Sequence, residues 1–290
     1  MPTATNYSAT DDEAGAERPD LLQLAPGINF TAWGELKWAR ANRHLADLQT
    51  SFTEWHSSVP VFTEGIFRDD ETIDVIQRAP RGVPIHEWAL TLGDAVHNLR
   101  SAFDAVAWGI AHFGDGEPER PWQVEFPIAR DAKQWRRSVE RWIGKLDPEF
   151  QHRIETLQPF TYAAEADSSL LAILHDLDIR DKHRRTIQVS ANVNRLDLRG
   201  AVRYVDPSAD AEPRLEMHAP AEGIHDGYIV ATLHTGAPIH RDATFRLQPE
   251  LTMVMEHNET TYDVSTFGVQ LVTETRRYLD ILYSGLASDQ

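Results

Sequence analysis

The 290-residue sequence contains no cysteine. Disulfide bonds, zinc–thiolate centres, iron–sulfur clusters and thiol nucleophiles are therefore excluded, and the composition fits a reducing compartment. Basic residues are also scarce, because 28 Lys and Arg stand against 45 Asp and Glu and leave a formal charge of −17. A charge of this sign repels phosphate backbones except where basic side chains cluster locally. General nucleic-acid affinity is therefore not expected.

Long apolar runs are absent as well. No stretch of about 18 uncharged apolar residues occurs, and residues 1–20 do not combine a basic start with an apolar run. We therefore expect a soluble, cytoplasmic protein without a membrane partner. The sequence also has no glycine-rich phosphate loop and no G-x-S-x-G elbow, so it indicates neither a nucleotide enzyme nor a serine hydrolase, and no cofactor is expected.

What the sequence does contain is enough apolar material for a sizeable core, since 41% of its residues are hydrophobic. The composition of residues 1–25 predicts a disordered acidic tail, after which apolar residues recur at three-to-four spacing. This spacing, with the capping residues, predicts five helices at about 32–57, 84–113, 131–145, 147–157 and 167–184. Short β-prone pieces within residues 61–83 indicate a small hairpin that connects the first two helices.

The apolar period changes from 3.6 to 2 after the fifth predicted helix. The expected strands are Thr186–Val193, Leu196–Val205, Arg214–His218, Tyr228–His234, Ala243–Leu247 and Leu251–Glu256. A last amphipathic helix, about 262–285, should pack back on the helices. The sequence therefore predicts an α+β fold: a helical bundle over 26–185, an antiparallel sheet of five or six strands over 186–258, and a C-terminal helix within 259–290.

The middle of the second predicted helix is polar, although its flanks are apolar. Residues three and four apart share a helix face, so His97, Arg100 and Asp104 form one column. The neighbouring column consists of Asp94, Asn98 and Ser101. Because Arg100 borders the apolar stripe, where an unpaired guanidinium is costly, we expect it to have a carboxylate partner.

Candidate carboxylates lie in the fifth predicted helix, where a column of leucines continues into Asp181. We predict that Asp178 or Asp181 forms an ion pair across the contact between the two helices. Its partner would be Arg100 or His97, ideally through two parallel hydrogen bonds in the case of the guanidinium. Such a pair either only fixes the helix register or belongs to a functional site, and the residues alone leave both interpretations open.

Four strings of this sequence resemble a widespread family of uncharacterised bacterial proteins: HNLRSAFDAVAW (97–108), EFPI (125–128), LQPF (157–160) and LHDLDIRDKHR (174–184). Members of that family carry HNLRSALDHLAW, FPI, LQPY and LDxxDKHR in the same order. The resemblance covers about residues 30–190 and the outline of the β-rich remainder. The residues that match these motifs are His97, Asn98, Arg100, Ser101, Asp104, Asp181, Lys182 and His183.

The family motif is similar in turn to HEPN proteins, helical bundles in which an Arg-x4-His pair meets across a dimer and cleaves RNA without metal. The resemblance implies a homodimer. In an active member it also implies a His that acts as acid or base beside an Arg that stabilises the phosphorane. This sequence departs from the pattern at Ala105, which stands where that His would be.

Two functional interpretations follow. The first is a degenerate HEPN-like protein that binds a ligand or partner through a polar Arg/Asp/His seam centred on Arg100. The alternative is a metal-independent endoribonuclease that uses Arg100 with His97 or His183. Under either, the candidate catalytic residues are Arg100, His97, Asp104, Asp181 and His183. The candidate binding residues are Asn98, Ser101, Asp178 and Lys182.

The same segments also contain residues of the kinds that bind metal ions and anions. His175 and Asp178 share a helical face, but neither H-E-x-x-H nor paired E-x-x-H motifs occur, so no metal site is expected. Two basic clusters are either solvated helix faces or, if they face one groove, a site for RNA or another anionic ligand. The clusters are Arg130, Lys133, Arg136, Arg137 and Arg141, and Arg180, Lys182, Arg184 and Arg185.

Overall fold

The chain folds as the predicted mixture of helices and antiparallel sheets. The computed structural model describes residues 30–58, 61–79, 82–112, 118–162, 165–183, 186–196, 202–218, 225–241, 246–247 and 249–283. The tail expected over residues 1–25 lies outside the described residues. No helix within the described part of the chain is both long and apolar enough to cross a membrane.

Seven helices are present over the described residues. Four of the five helices expected before residue 186, and the helix expected after the strands, begin and end within a few residues of their predicted bounds. Their bounds are α1 Phe30–Ser58, α2 Ile85–Ala111, α3 Ala132–Arg141, α4 Pro148–Thr156, α5 Pro159–Tyr162, α6 Leu170–His183 and α7 Val264–Tyr283. Asp131 caps α3, because its side chain accepts from the backbone N–H groups of Lys133 and Gln134 at 2.8 Å each. The segment expected as one helix to residue 145 ends as a separate 3-10 turn, Ile143–Lys145.

Helix α2 is the centre of the helical bundle. Every member of its predicted apolar stripe is buried, from Trp88 to Ile110. The three-to-four spacing of apolar residues predicts that Leu36 and Ala39 lie on the buried face of α1, but this prediction is wrong, because Leu36 is 55% exposed and Ala39 is also exposed. The buried position there is Gly34, where an added Cβ would lie 2.6 Å from the hydroxyl of Tyr283 on α7. Close approach of α7 therefore selects the small residue for burial on this turn of α1.

Helix α7 packs back on the bundle, as predicted. The indole Nε1 of Trp38 on α1 donates to the Val272 carbonyl at 2.9 Å. The guanidinium of Arg276 bonds Glu35 on α1 and Asp280 on its own helix. The face of α7 that its three-to-four spacing predicts to be apolar is buried throughout: Val264, Phe267, Leu271, Thr275, Tyr278 and Leu282.

The strands form two antiparallel sheets instead of the single sheet that was expected. Their bounds are β1 Phe62–Phe67, β2 Thr72–Arg78, β3 Val189–Arg195, β4 Arg214–Met217, β5 Ile229–His234, β6 Arg246–Leu247, β7 Glu250–His257 and β8 Thr260–Asp263. The larger sheet has the order β4-β5-β2-β1-β6, and the smaller has the order β3-β7-β8. The hairpin expected as a connector, β1 with β2, therefore lies inside the larger sheet, which combines strands from both sides of residue 186.

Two strand predictions differ from the structure. Strand β8 occupies residues assigned to the start of the last helix, because Asn258 and Glu259 adopt positive φ values of 48° and 63° and turn the chain back on β7. Within the segment expected as a strand over Leu196–Val205, residues 197–201 lie outside the described residues, and Tyr204 forms an isolated bridge to Ile239.

The two sheets contribute to different cores. The smaller sheet packs on the helices and shares their core through Ala191, Met253 and Met255. The larger sheet has a small core of its own that includes Val75, Ala231 and other residues of β2 and β5. Within the polar middle of α2, Arg100 is buried in the helical core and His97 contacts Asp178 on α6.

Candidate functional site

The Arg100 guanidinium is buried in a group of hydrogen bonds that we call the Arg100 clamp, made of Arg100, Asp104 and Phe126. Arg100 is 5% exposed. Its Nη1 donates to Asp104 Oδ1 at 2.6 Å, and its Nη2 donates to the Phe126 carbonyl at 2.9 Å. The Phe126 backbone N–H donates to the same Asp104 oxygen at 2.9 Å. The clamp therefore ties the loop before α3 to the middle of α2.

The prediction that Arg100 pairs with Asp178 or Asp181 across the helices is wrong. The carboxylate partner is Asp104, one turn along the same helix. The physical reason is the path of the loop, since the carbonyl and N–H of Phe126 complete a closed set of bonds with these two side chains. The ring of Phe126 then packs on that of Phe103, with 4.9 Å between the centroids.

The other predicted combination, His97 with Asp178, is confirmed. Asp178 on α6 is only 4% exposed, and its Oδ1 lies 3.1 Å from His97 Nδ1 on α2. Its second oxygen accepts from Lys182 Nζ at 2.8 Å. The Oγ of Ser101 lies 3.4 Å from His97 Nε2. The side chain of His97 is 44% exposed, so this group lies at the solvent edge of the α2–α6 contact.

Two further carboxylates border this group. Burial, followed by the charges of Asp94 and Asp178, raises the pKa of the Asp181 carboxyl above its ordinary value. The Asp181 oxygens would lie 2.8 and 2.9 Å from a Cβ added to Gly93 on α2. The glycine therefore leaves the space in which the Asp181 carboxyl sits. We call the whole group the His97 rim: Asp94, His97, Ser101, Asp178, Asp181 and Lys182.

A second polar network lies deeper along α6, and sequence reasoning did not identify it. Arg130 bonds Asp176 on α6, and Asp176 Oδ2 lies 3.6 Å from Nε2 of the buried His257 at the end of β7. Burial lowers the pKa of His257 and of His175, and the nearby Arg100 charge lowers that of His175 further. His257 carried no periodic or motif signal, because its burial depends on how β7 packs against α6.

The two other predicted site residues are Asn98 and His183. Asn98 is 7% exposed, and its Nδ2 donates to the Asp94 carbonyl of its own helix at 2.7 Å. The side chain of His183 lies outside the described residues. Within the parts of the chain that the structure describes, no three His, Asp or Glu side chains are placed to hold a metal ion.

The basic clusters are only partly available to anions. Arg130 is engaged by Asp176 and Asp167, and Arg141 bonds Glu125 at 2.6 Å. Lys133, Arg136 and Arg137 are exposed on α3. Arg184 and Arg185 of the second cluster lie outside the described residues.

Comparisons with known proteins do not name a relative: no protein-family model, no curated protein and no solved structure matches this chain.

The contact between Gly93 and Asp181 generates a stability prediction. Gly93→Ala should lower the free energy of unfolding by about 1–3 kcal/mol, because the new methyl group overlaps the Asp181 carboxyl. In an Asp181→Ala background the same change should be neutral or stabilising by up to about 1 kcal/mol, since alanine is the better helix former. A double-mutant cycle measured by urea unfolding checks this reversal of sign. Equal effects of Gly93→Ala in both backgrounds would contradict the contact.

The clamp generates a second stability prediction. Arg100→Ala should cost about 2–3 kcal/mol, because it removes two hydrogen bonds and leaves the Phe126 carbonyl without its donor. Arg100→Lys should recover only part of the loss, since an ammonium group cannot reproduce the geometry in which Nη1 and Nη2 of the guanidinium donate to two different acceptors. The matched control is Arg137→Ala on exposed α3, which should stay within about 0.5 kcal/mol of the native protein. An unchanged urea midpoint in Arg100→Ala would show that the guanidinium is not buried.

Proposed function

We propose that this chain is a degenerate HEPN-like binding module whose ligand-facing surface is the His97 rim. The observation that carries this proposal is the burial of Arg100. Its side chain is 6% exposed and is held by Asp104 and Phe126, whereas the His97 side chain is 44% exposed. The half-exposed imidazole, the Ser101 hydroxyl and the Lys182 ammonium are the groups that a ligand meets first.

The same geometry disfavours the alternative, metal-independent RNA cleavage by Arg100 with His97 or His183. A cation that stabilises a phosphorane must reach the phosphate oxygens at hydrogen-bond distance. Arg100 is instead buried, and its hydrogen bonds go to Asp104 and to the Phe126 carbonyl. The rim also carries three carboxyl groups, of Asp94, Asp178 and Asp181, against one ammonium of Lys182, and such a balance repels a phosphate backbone. A neutral or cationic ligand with hydrogen-bonding groups suits the rim better.

The catalytic alternative is tested with single-stranded RNA. We expect end-labelled RNA to remain intact with the native protein, with or without EDTA. Ala105→His restores the Arg-x4-His spacing on an intact helix, and we expect it to remain inert as well, because Arg100 stays inside. RNA cleavage by the native protein, or cleavage gained by Ala105→His and abolished by Arg100→Ala, would overturn the binding interpretation.

Binding itself is tested at the His97 ring. Imidazole ¹⁵N spectra should respond to acetamide or methylammonium at high millimolar concentration and should respond little to inorganic phosphate. The response should weaken in Ser101→Ala and be unaffected in Ser138→Ala, a serine on α3 whose hydroxyl bonds only its own helix. A His97 ring that responds to phosphate alone, or to none of the probes, would contradict the proposal.

The proposal includes a homodimer packed through helices. Two large apolar side chains of α1 support it, because Trp33 and Leu36 are 56% and 55% exposed, and Val269 on the adjacent α7 is 68% exposed. Exposed apolar side chains on neighbouring helices favour an isologous two-fold contact.

Light scattering checks the oligomeric state. At micromolar concentration we expect twice the 32.8 kDa mass of one chain, and Leu36→Glu should shift the mass toward one chain. Leu90→Glu is the matched control, because Leu90 is equally exposed at 59% but lies on α2. A native mass near that of a single chain would rule out the dimer.

A further inference from the structure

Three side chains of the His97 rim form a linear hydrogen-bonded series. Ser101 Oγ lies 3.4 Å from His97 Nε2, and His97 Nδ1 lies 3.1 Å from Asp178 Oδ1. The order of atoms is that of a nucleophilic serine, its general base and the carboxylate that orients the base. Ser101 and His97 share α2, one turn apart, and Asp178 comes from α6.

We propose that Ser101 is a nucleophile that accepts acyl groups from small activated esters, with His97 as its general base and Asp178 as the positioning residue. The substrate class is a neutral or cationic ester with a good leaving group, because the carboxyl groups of Asp94 and Asp181 disfavour an anionic one. This activity is separate from the binding function proposed above. A rim that binds none of the small probes can still be acylated.

The position of Asp178 beside Nδ1 determines which nitrogen of His97 is free. An ionised carboxylate can only accept hydrogen bonds, so the proton of the neutral ring must lie on Nδ1, facing Asp178 Oδ1. Lys182 Nζ donates to the other carboxylate oxygen at 2.8 Å and stabilises its negative charge. Nε2 is then the unprotonated nitrogen, and it is the one that faces the Ser101 hydroxyl.

The reaction follows from this arrangement. Ser101 Oγ attacks the ester carbonyl carbon and forms the new C–O bond, while its proton passes to His97 Nε2. The tetrahedral intermediate collapses, the bond to the leaving alkoxide breaks, and His97 returns the proton to that oxygen. Water, deprotonated by His97, then attacks the acyl group on Ser101. The acyl–Oγ bond breaks, His97 returns the proton to Oγ, and a carboxylic acid and the free serine are released.

The position of Ser101 also limits the reaction. In the interior of α2 the backbone N–H groups are used by the helix, so no pair of them is available as an oxyanion hole. Lys182 is the one cation of the rim as defined above. Loss of a single oxyanion donor typically costs about 10²–10³ in rate, so we expect slow turnover of activated esters and none of ordinary esters or amides.

The experiment is covalent labelling of the full chain. A fluorophosphonate with a neutral linker transfers its phosphonyl group to the serine, as the Oγ–P bond forms and fluoride leaves with the serine proton bound to His97. Intact mass spectrometry should show one adduct per chain, and peptide mapping should place it on Ser101. 4-Nitrophenyl acetate should give a matching burst of nitrophenolate.

Variants separate the proposed roles. Ser101→Ala should lose the adduct, and His97→Gln should slow labelling by about 100-fold, the low end of general-base assistance. Ser138→Ala is the matched control and should label at the native rate, because that serine lies on a helix without a neighbouring His. For Asp178→Asn the readout is the imidazole ¹⁵N spectrum, which should show a mixture of tautomers where the native ring shows only the Nδ1–H form.

The circular dichroism spectrum and urea midpoint of each variant show whether it is folded, and peptide mapping of the native chain identifies the labelled residue without any substitution. An adduct on any other residue, a native rate in His97→Gln, or no adduct after prolonged exposure to the reagent would each overturn the proposal.

Discussion

Burial of one positive charge organises the helical half of this protein. A guanidinium in an apolar core costs several kcal/mol unless it is paired and hydrogen-bonded. Arg100 is satisfied by Asp104 and by the Phe126 carbonyl, and the Phe126 N–H closes the set on the same carboxylate. Because one partner belongs to a loop, the clamp also fixes where that loop crosses α2, and it brings the ring of Phe126 onto Phe103.

The course of this loop determines how α6 is held. Four residues after Phe126, Arg130 bonds Asp176 and the Ala172 carbonyl of α6. On the opposite side of the helix, Asp178 bonds His97 of α2. One polar contact on each side of α6 thus fixes its register. The leucines of the helix supply the apolar packing. Asp176 and Asp178 each have a basic partner, which is the condition for keeping charges inside a helical interface.

The sequence predicted the helices well and the partners of its polar residues only in part. The stripes of α2 and α7 are long and regular, so their buried faces follow from periodicity alone. The partner of Arg100 depended on the course of the loop that carries Phe126, which local pattern does not encode. The β1–β2 hairpin was visible, but its place inside the larger sheet depends on pairing with β5, about 150 residues away, which local pattern does not encode.

The geometry of one helix explains why Arg100 and His97 have different roles. Residues three apart on an α-helix differ by about 60° in direction and about 4.5 Å in height. This is enough to turn Arg100 inward, at 6% side-chain exposure, and His97 outward, at 44%. Bringing both groups to one phosphate would break the two hydrogen bonds that Arg100 makes in the clamp. Ser101, by contrast, lies four residues after His97, about 40° away on the same face. Any chemistry at this surface therefore has to use the hydroxyl and imidazole of the rim and not the guanidinium behind it.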